Sequence, residues 1–309
     1  MIAVILDAGA PESCHPLTCT RPLAACPVAN LPLRAAQERE LAAAKLPLPC
    51  PGDTDGQARL FLRGDAWVPA ALLARLANLG ACAAAVRAAD GCALAWIGHA
   101  TAPPPEPGAD DLTGQDTFRL CYPWDLLRLN ELLVGALTED AIEGEVARGV
   151  TLAGHVTLGR GSRLLPGVYI EGNVVIGRDC KIGPNCYIRG STAIGDNCHI
   201  GQAVEVKNSI LLPGAAIGHL SYCGDSIVGE KTNFGAGTIT ANFRHDGKQH
   251  RSTVGSQLVD TGRRKFGAII GDDVHTGIHT SIYPGRKLWP HTSTRPGAIV
   301  SRDLLTGEA

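Results

Sequence analysis

No excess of either charge marks the sequence. It holds 28 lysines and arginines against 30 aspartates and glutamates, a formal net charge of -2 at pH 7. Nucleic acid or a membrane surface would call for a basic field, so neither partner is expected. No run of about 18 uncharged apolar residues is present, so no segment is expected to span a bilayer. The N-terminus lacks a charged start ahead of a long apolar run, so no signal peptide is expected. The 11 cysteines are an odd number and include no CxxC pair. That argues against a disulfide framework or a zinc knuckle, and for reduced thiols in a cytoplasmic protein.

What is present is a repeat. Every sixth residue from Leu152 to Leu212 is aliphatic: Leu158, Leu164, Ile170, Ile176, Ile182, Ile188, Ile194, Ile200 and Val206 lie between. Glycine follows the aliphatic at positions 159, 177, 183, 195 and 201. Six-residue periodicity with turn glycines signals a parallel β-helix of short strands, with the aliphatics stacked inside. Three hexads make one coil, so residues 18 apart share an edge. One edge then carries Glu171, Arg189 and Lys207. Arg189 and Lys207 thus occupy neighbouring rungs, roughly 4.8 Å apart at the backbone. Two stacked cations repel unless an anion intervenes, or unless they reach into solvent or pair with Glu171. Cys180, Cys186 and Cys198 fall in the repeat turns as small structural residues.

The register runs on to Gly218, slips at His219–Asp225, and resumes at Val228. From Phe243 to Phe266 the repeat is lost in a basic segment, and an unpatterned insertion of that length is usually functional. Register returns at Ile270 and continues to Val300, for roughly seven coils. The 309 residues and 45% hydrophobic content suffice for a second core. Ahead of the repeat, strands at Ile2–Leu6 and Ala58–Leu62 alternate with helices at Leu33–Leu46 and Ala70–Leu79. Cys82–Ala88 and Cys92–Ile97 flank Asp90-Gly91, a hairpin signal. Residues 101–115 form a loop, and Tyr122–Leu137 an amphipathic helix. The expected organisation is an α/β domain over 1–140 and an all-β domain over 141–309.

The stretch Val4–Leu33 resembles the opening of sugar-1-phosphate nucleotidyltransferases, through Gly9, Pro16-Leu17-Thr18, Arg21-Pro22 and Pro27-Val28-Ala29. Its chemistry is eroded. Pro11-Glu12 replace glycine and a small residue, His15 stands near the phosphate-contacting arginine, and Ala24 or Ala25 takes the lysine's place. Asp65, in Leu60–Val68, matches the magnesium-binding aspartate. Only about 25 residues separate the start of the first helix from the start of this strand, too few for the family's base pocket. The resemblance therefore implies a shortened, Rossmann-like nucleotidyltransferase layer without activity, and no Mg2+ is expected.

Gly218–Asn242 resembles the acetyltransferase domain of the bifunctional UDP-N-acetylglucosamine pyrophosphorylase/glucosamine-1-phosphate N-acetyltransferase family. Arg264–Asp272 and Thr276–Ser281 bring it nearest the archaeal-type members. This resemblance implies a left-handed parallel β-helix of hexapeptide repeats, against the usual right-handed crossover. It implies a homotrimer and acetyl transfer from acetyl-CoA to the amino group of a hexosamine 1-phosphate. By the same resemblance His219 is the catalytic base, and Arg189, Lys207 and Tyr222 hold the phosphate. Asn233, Asn242 and Lys265 contact the sugar phosphate. CoA lies along the last coils, near Gly277, Arg295 and Arg302. Ile278 stands where bacterial members have a serine, as in archaeal-type members. A neutral imidazole can take the amine proton near pH 7, which suits His219 to the role.

Three other functions compete. A bifunctional enzyme would also make UDP-N-acetylglucosamine. A γ-carbonic-anhydrase-like hydratase would use His275 and His279 on zinc, but a third ligand is missing, since His199 lies many coils away. A non-enzymatic scaffold would leave His219 without work.

Overall fold

The computed structural model describes residues 1–50, 58–80, 84–99 and 103–306. Contacts divide the chain into two units. One comprises Met1–Pro11, Pro22–Cys26 and Leu31–Cys121, and the other Glu12–Arg21, Pro27–Asn30 and Tyr122–Ala309. The helix at Pro123–Gly135, placed by sequence in the first domain, belongs to the second unit.

Among the described residues of the first unit, four strands form a mixed sheet in the order Ala3–Ile5, Arg59–Leu62, Ala93–Gly98, Ala85–Arg87. Only the first pair is parallel; the turn at Asp90-Gly91 makes the last pair an antiparallel hairpin. Cys82 and residues 101–102 lie outside the described residues. Helices α1 (Leu33–Ala43) and α2 (Ala70–Leu79) complete an α/β layer. Leu41, Leu73 and Leu76 from the helices are fully buried with Leu60, Leu94 and Ile97 from the sheet. Gly80 ends α2 with φ +61°, a left-handed cap that glycine adopts without a Cβ penalty. No helix among the described residues is long and apolar enough to cross a membrane.

Most of the second unit is a left-handed parallel β-helix of about nine turns over residues 141–300. The sequence suggested roughly seven. Strands Ala141–Ile142 and Glu145–Val146 begin the winding before the first aliphatic of the repeat at Leu152. Among the described residues the strands form three parallel walls. A six-stranded first wall runs from Glu145–Val146 to Asn233–Phe234. An eight-stranded second wall runs from Thr151–Ala153 to Ile299–Val300, and an eight-stranded third from Ala141–Ile142 to Lys287–Leu288.

Leu158, Leu164, Ile170, Ile176, Ile182, Ile188, Ile194, Ile200 and Val206 stack in one buried core. Each has a second inward neighbour two residues earlier, because side chains alternate along a strand. Cys180, Cys186 and Cys198 hold three of those places and are buried in the same core. Burial pushes the Cys186 thiol up to about 12, so it stays protonated. The corners need left-handed backbone, and Asp179, Asn185 and Asn197 supply it with φ of 55°, 51° and 58°.

The register shortens earlier than Gly218. Tyr187 pairs with Glu205, 18 residues on, but Ala193 pairs with Ile210, only 17 on. The lost residue is therefore at the corner Asn208–Ser209. As a result Leu211, not Leu212, stacks on Ile194, and Ile217 faces inward in place of Gly218. The basic segment holds an antiparallel hairpin, Arg251–Val254 against Gln257–Asp260. It leaves the ladder intact: Ile227 pairs directly with Ile269.

One close approach is testable. A Cβ on Gly201 would lie 1.9 Å from the Gly218 carbonyl oxygen, whereas one on Gly218 would meet nothing within 4 Å. Gly201→Ala is expected to cost about 1–3 kcal/mol, as overpacking does. Gly218→Ala is expected to be near neutral. Thermal unfolding of both variants checks the difference.

Candidate active site

The corner between the second and third walls carries a connected polar network. Arg189 and Lys207 end successive strands of the second wall, Tyr187–Arg189 and Glu205–Lys207, and pair in register. Neither cation is bare, and neither pairs with Glu171. Arg189 donates from Nη2 to Glu205 Oε1 at 2.7 Å and from Nε at 2.8 Å. Lys207 Nζ donates to Asp225 Oδ2 at 2.8 Å. The two pairs differ in burial. Arg189 and Glu205 side chains are 35% and 32% exposed, while that of Asp225 is 2% exposed. Glu171 accepts a short hydrogen bond from the Tyr187 hydroxyl instead.

Tyr222 and Asn242 join this network. Asn242 Nδ2 donates to the Tyr222 hydroxyl at 2.8 Å and to Asp225 Oδ2 at 2.5 Å. Burial, then the charges of Asp225 and Glu205, pushes the Tyr222 phenol up to about 12. It therefore stays protonated at neutral pH. Its oxygen accepts from Asn242, so its own proton is left to donate to a ligand. Asn208 links the corner onward, donating to Asp225 Oδ1 at 3.0 Å and to Glu131 Oε1 at 2.6 Å. Glu131 lies on α3 (Pro123–Gly135) and also binds Arg263, at the returning end of the hairpin segment.

His219 sits elsewhere on the rung. It ends the first-wall strand Ala216–His219, whereas the cations end strands of the second wall. The corner at Leu220 (φ 50°) then leads into Tyr222–Gly224 of the second wall. His219 and the cations therefore bracket one outer face, on which Tyr187, Glu205 and Tyr222 stand in register. The His219 carbonyl accepts from Ser221 Oγ at 2.7 Å, and the residue is exposed. Burial, then Lys181 and His219, pushes the neighbouring His199 imidazole down from its ordinary value.

The remaining sequence candidates are scattered. Asn233 is exposed and pairs with Ala216 at the far end of the His219 strand. Lys265 stacks its Nζ 3.9 Å above the Phe243 ring. The Gly277 N–H is taken by Thr294, at 2.9 Å from both its carbonyl and its Oγ1. Arg295 and Arg302 are exposed near the last coil. His275 bonds Asp273 at 3.3 Å. Among the described residues no group of three or more His, Cys, Asp or Glu is arranged to hold a metal ion.

Sequence reasoning missed Asp225, Glu205 and Glu131. For Asp225 a signal existed: it lies 18 residues beyond Lys207, on the edge already carrying Glu171, Arg189 and Lys207. The basic segment also borders a cavity of about 860 Å3. Arg244 and Arg286 in its lining are paired with Asp246 and Asp303. Lys248, Arg251 and Arg264 make no ion pair among the described residues, so the cavity favours an anion.

Comparison with known proteins matches the β-helix. The GMPPB C-terminal domain family matches residues 170–293. A bifunctional sugar-1-phosphate nucleotidylyltransferase/acetyltransferase of Sulfurisphaera tokodaii is 41% identical over 186 residues, 60% of this chain and 46% of that one. The bifunctional protein GlmU of Methanocaldococcus jannaschii is 40% identical over 182 residues, 59% of this chain and 44% of that one. The homologues of this region are GlmU-type bifunctional nucleotidyltransferase/acetyltransferases. The match spans less than half the length of these curated relatives. The solved UDP-N-acetylglucosamine acyltransferase of Francisella novicida aligns with 54% of this chain and 63% of its own, at 15% identity and a TM-score of 0.26.

The two ion pairs should respond differently to loss of the cation. Lys207→Met leaves a buried carboxylate unpaired and is expected to cost about 3–5 kcal/mol. Arg189→Met frees a carboxylate that water already reaches and is expected to cost no more than about 1 kcal/mol. Urea-unfolding midpoints of the two variants provide the check.

Proposed function

We propose that the β-helix transfers acetyl from acetyl-CoA to the amino group of a hexosamine 1-phosphate, glucosamine or galactosamine. The observation that carries this is the network that joins Lys207, Asn242 and Tyr222 through Asp225, with Arg189 in register one rung below Lys207, bordering the same outer face as His219. It lies within the region similar to named acetyltransferases. Asn233 and Lys265 stand outside the network, and the proposal rests on its three linked residues and on Arg189 beside them.

The substrate amine attacks the thioester carbon while the His219 imidazole takes its proton. The C–S bond breaks as the tetrahedral intermediate collapses, and the imidazolium returns the proton to the departing thiolate. Tyr222 donates its free hydroxyl proton to the phosphate, and Arg189 reaches it by leaving Glu205. That exchange suits an exposed pair, which holds its partners weakly. CoA carries its own phosphates, and the cavity beside Lys248, Arg251 and Arg264 supports their binding near the last coils. Gly277, Arg295 and Arg302 remain candidates for CoA contacts, the two arginines for its phosphates.

A homotrimer is part of the proposal. Ile239 and Ile299, 39% and 65% exposed, stand on the outer face of the second wall, in register through Ser281. Such a column supports contact with a neighbouring copy.

Loss of nucleotidyl transfer is also proposed. Asp65 receives hydrogen bonds from Arg63 at 2.8 and 2.9 Å and from Arg119 at 2.8 and 3.2 Å. Burial alone would raise its pKa, but the two guanidinium groups hold it below the usual carboxylate value. A magnesium ion does not fit here, since it would have to displace both cations. Arg21 and Thr20 of the eroded motif bond to Asp272, each at 2.6 Å.

His219→Ala is expected to lower acetylation of amino-sugar 1-phosphates by about 100-fold or more, read as thiol release from acetyl-CoA. Near-normal turnover would remove the residue from the base role. Sedimentation velocity is expected to give a trimer, and a monomer would contradict the shared-face reading. The intact chain is expected to release no pyrophosphate from UTP and a sugar 1-phosphate.

A further inference from the structure

Asp225 is buried at a corner with φ 50°, one rung above Lys207 and next to the root of the hairpin segment. Its backbone is fixed on both sides. Its N–H donates to the Lys207 carbonyl at 2.8 Å, and its own carbonyl accepts from Gly267 at 2.9 Å. We infer that Asp225 is the positioning residue of the candidate site, its carboxylate setting the direction in which Lys207, Asn242 and Tyr222 present their polar atoms to an anionic substrate.

The direction follows from what a carboxylate can do. An ionised Asp225 only accepts, so Asn242 must turn its Nδ2 toward it. That same Nδ2 donates to the Tyr222 oxygen, which spends both amide protons. Asn242 Oδ1 is then left as an acceptor, and the Tyr222 hydroxyl proton as a donor. Lys207 is held against Asp225 with its two remaining protons to offer. One buried charge thus orients three side chains, none of which needs to move to bind. An amide at position 225 could instead donate to Asn242 Oδ1, turn the carboxamide over, and reverse the chain.

The inference rests on the proposed acetyl transfer for its kinetic test only. In Asp225→Asn the KM for the amino-sugar phosphate is expected to rise at least tenfold, while the KM for acetyl-CoA stays within twofold. A merely structural role would lower the active fraction and leave both KM values unchanged, which would overturn the inference. In the double variant Lys207→Met, Asp225→Asn, no buried charge is left unpaired. Its folded yield is expected to recover and its KM to match that of the worse single variant; additive effects would contradict coupling through Lys207.

A second readout needs no activity. Arg189 and Asn242 oppose the rise that burial, Asp225 and Glu205 impose on Tyr222. In Asp225→Ala, which removes the charge and offers no donor to turn Asn242 over, the Tyr222 titration is expected to move down from about 12, followed by NMR of 13Cζ-labelled tyrosine with Tyr222→Phe for assignment. An unmoved titration overturns the inference. If the unaltered protein transfers no acetyl group, the proposed function fails and this titration still judges Asp225.

Discussion

Every coil of the β-helix must close on the outline of the coil below it. The reason is the ladder of parallel backbone hydrogen bonds, in which each strand's N–H and C=O groups are paired with the rungs above and below. Strand lengths cannot change without orphaning those groups. Corners can, because a residue lost or added there leaves the pairing of the strands on either side in place. The single-residue shortening at Asn208–Ser209 and the long excursion between Asn242 and Phe266 both obey that rule. Both fall at the corner joining the second wall to the third. The polar network of the candidate site occupies the same corner, where departures from the repeat cost the ladder nothing.

The site combines a fixed half with a loose half. Lys207 and Asp225 form a dry pair, tied further by Asn208 and Asn242. Arg189 and Glu205 form a wet pair, which water and salt weaken. Two cations and two carboxylates sum to zero. In the proposed reaction a phosphate would be met by directed donors, Tyr222 and Lys207 above all, and would gain a whole charge only when Arg189 lets go of Glu205. That arrangement avoids the repulsion expected of two uncompensated cations on adjoining rungs.

Much of this was legible in the residues. The aliphatic at every sixth position gave the core, and the edge count put Arg189 beside Lys207 in the register the strands adopt. The helices at Leu33–Ala43 and Ala70–Leu79 and the turn at Asp90-Gly91 lie where composition and turn chemistry put them. The one-residue shortening was hidden because Leu211 and Leu212 are both aliphatic, so the hexad count ran through the corner undisturbed. Partners were harder to read than positions. Neither spacing nor alternation distinguishes Glu205 from Glu171 as the arginine's companion, since both point the same way as Arg189; in the structure Glu171 is engaged by the Tyr187 hydroxyl. Asp65 shows the same limit. Its match to a metal ligand is a matter of sequence, whereas its two guanidinium neighbours are a matter of folding, Arg119 being 54 residues away.

The hairpin segment leaves the solenoid at one corner and re-enters at the same one, so Ile227 meets Ile269 as if the intervening chain were absent. A scaffold with such a port can exchange what is plugged into it. Shorter, longer or differently charged inserts at this corner would change the adjoining surface while the stacked coils, and the strands on either side, stayed untouched.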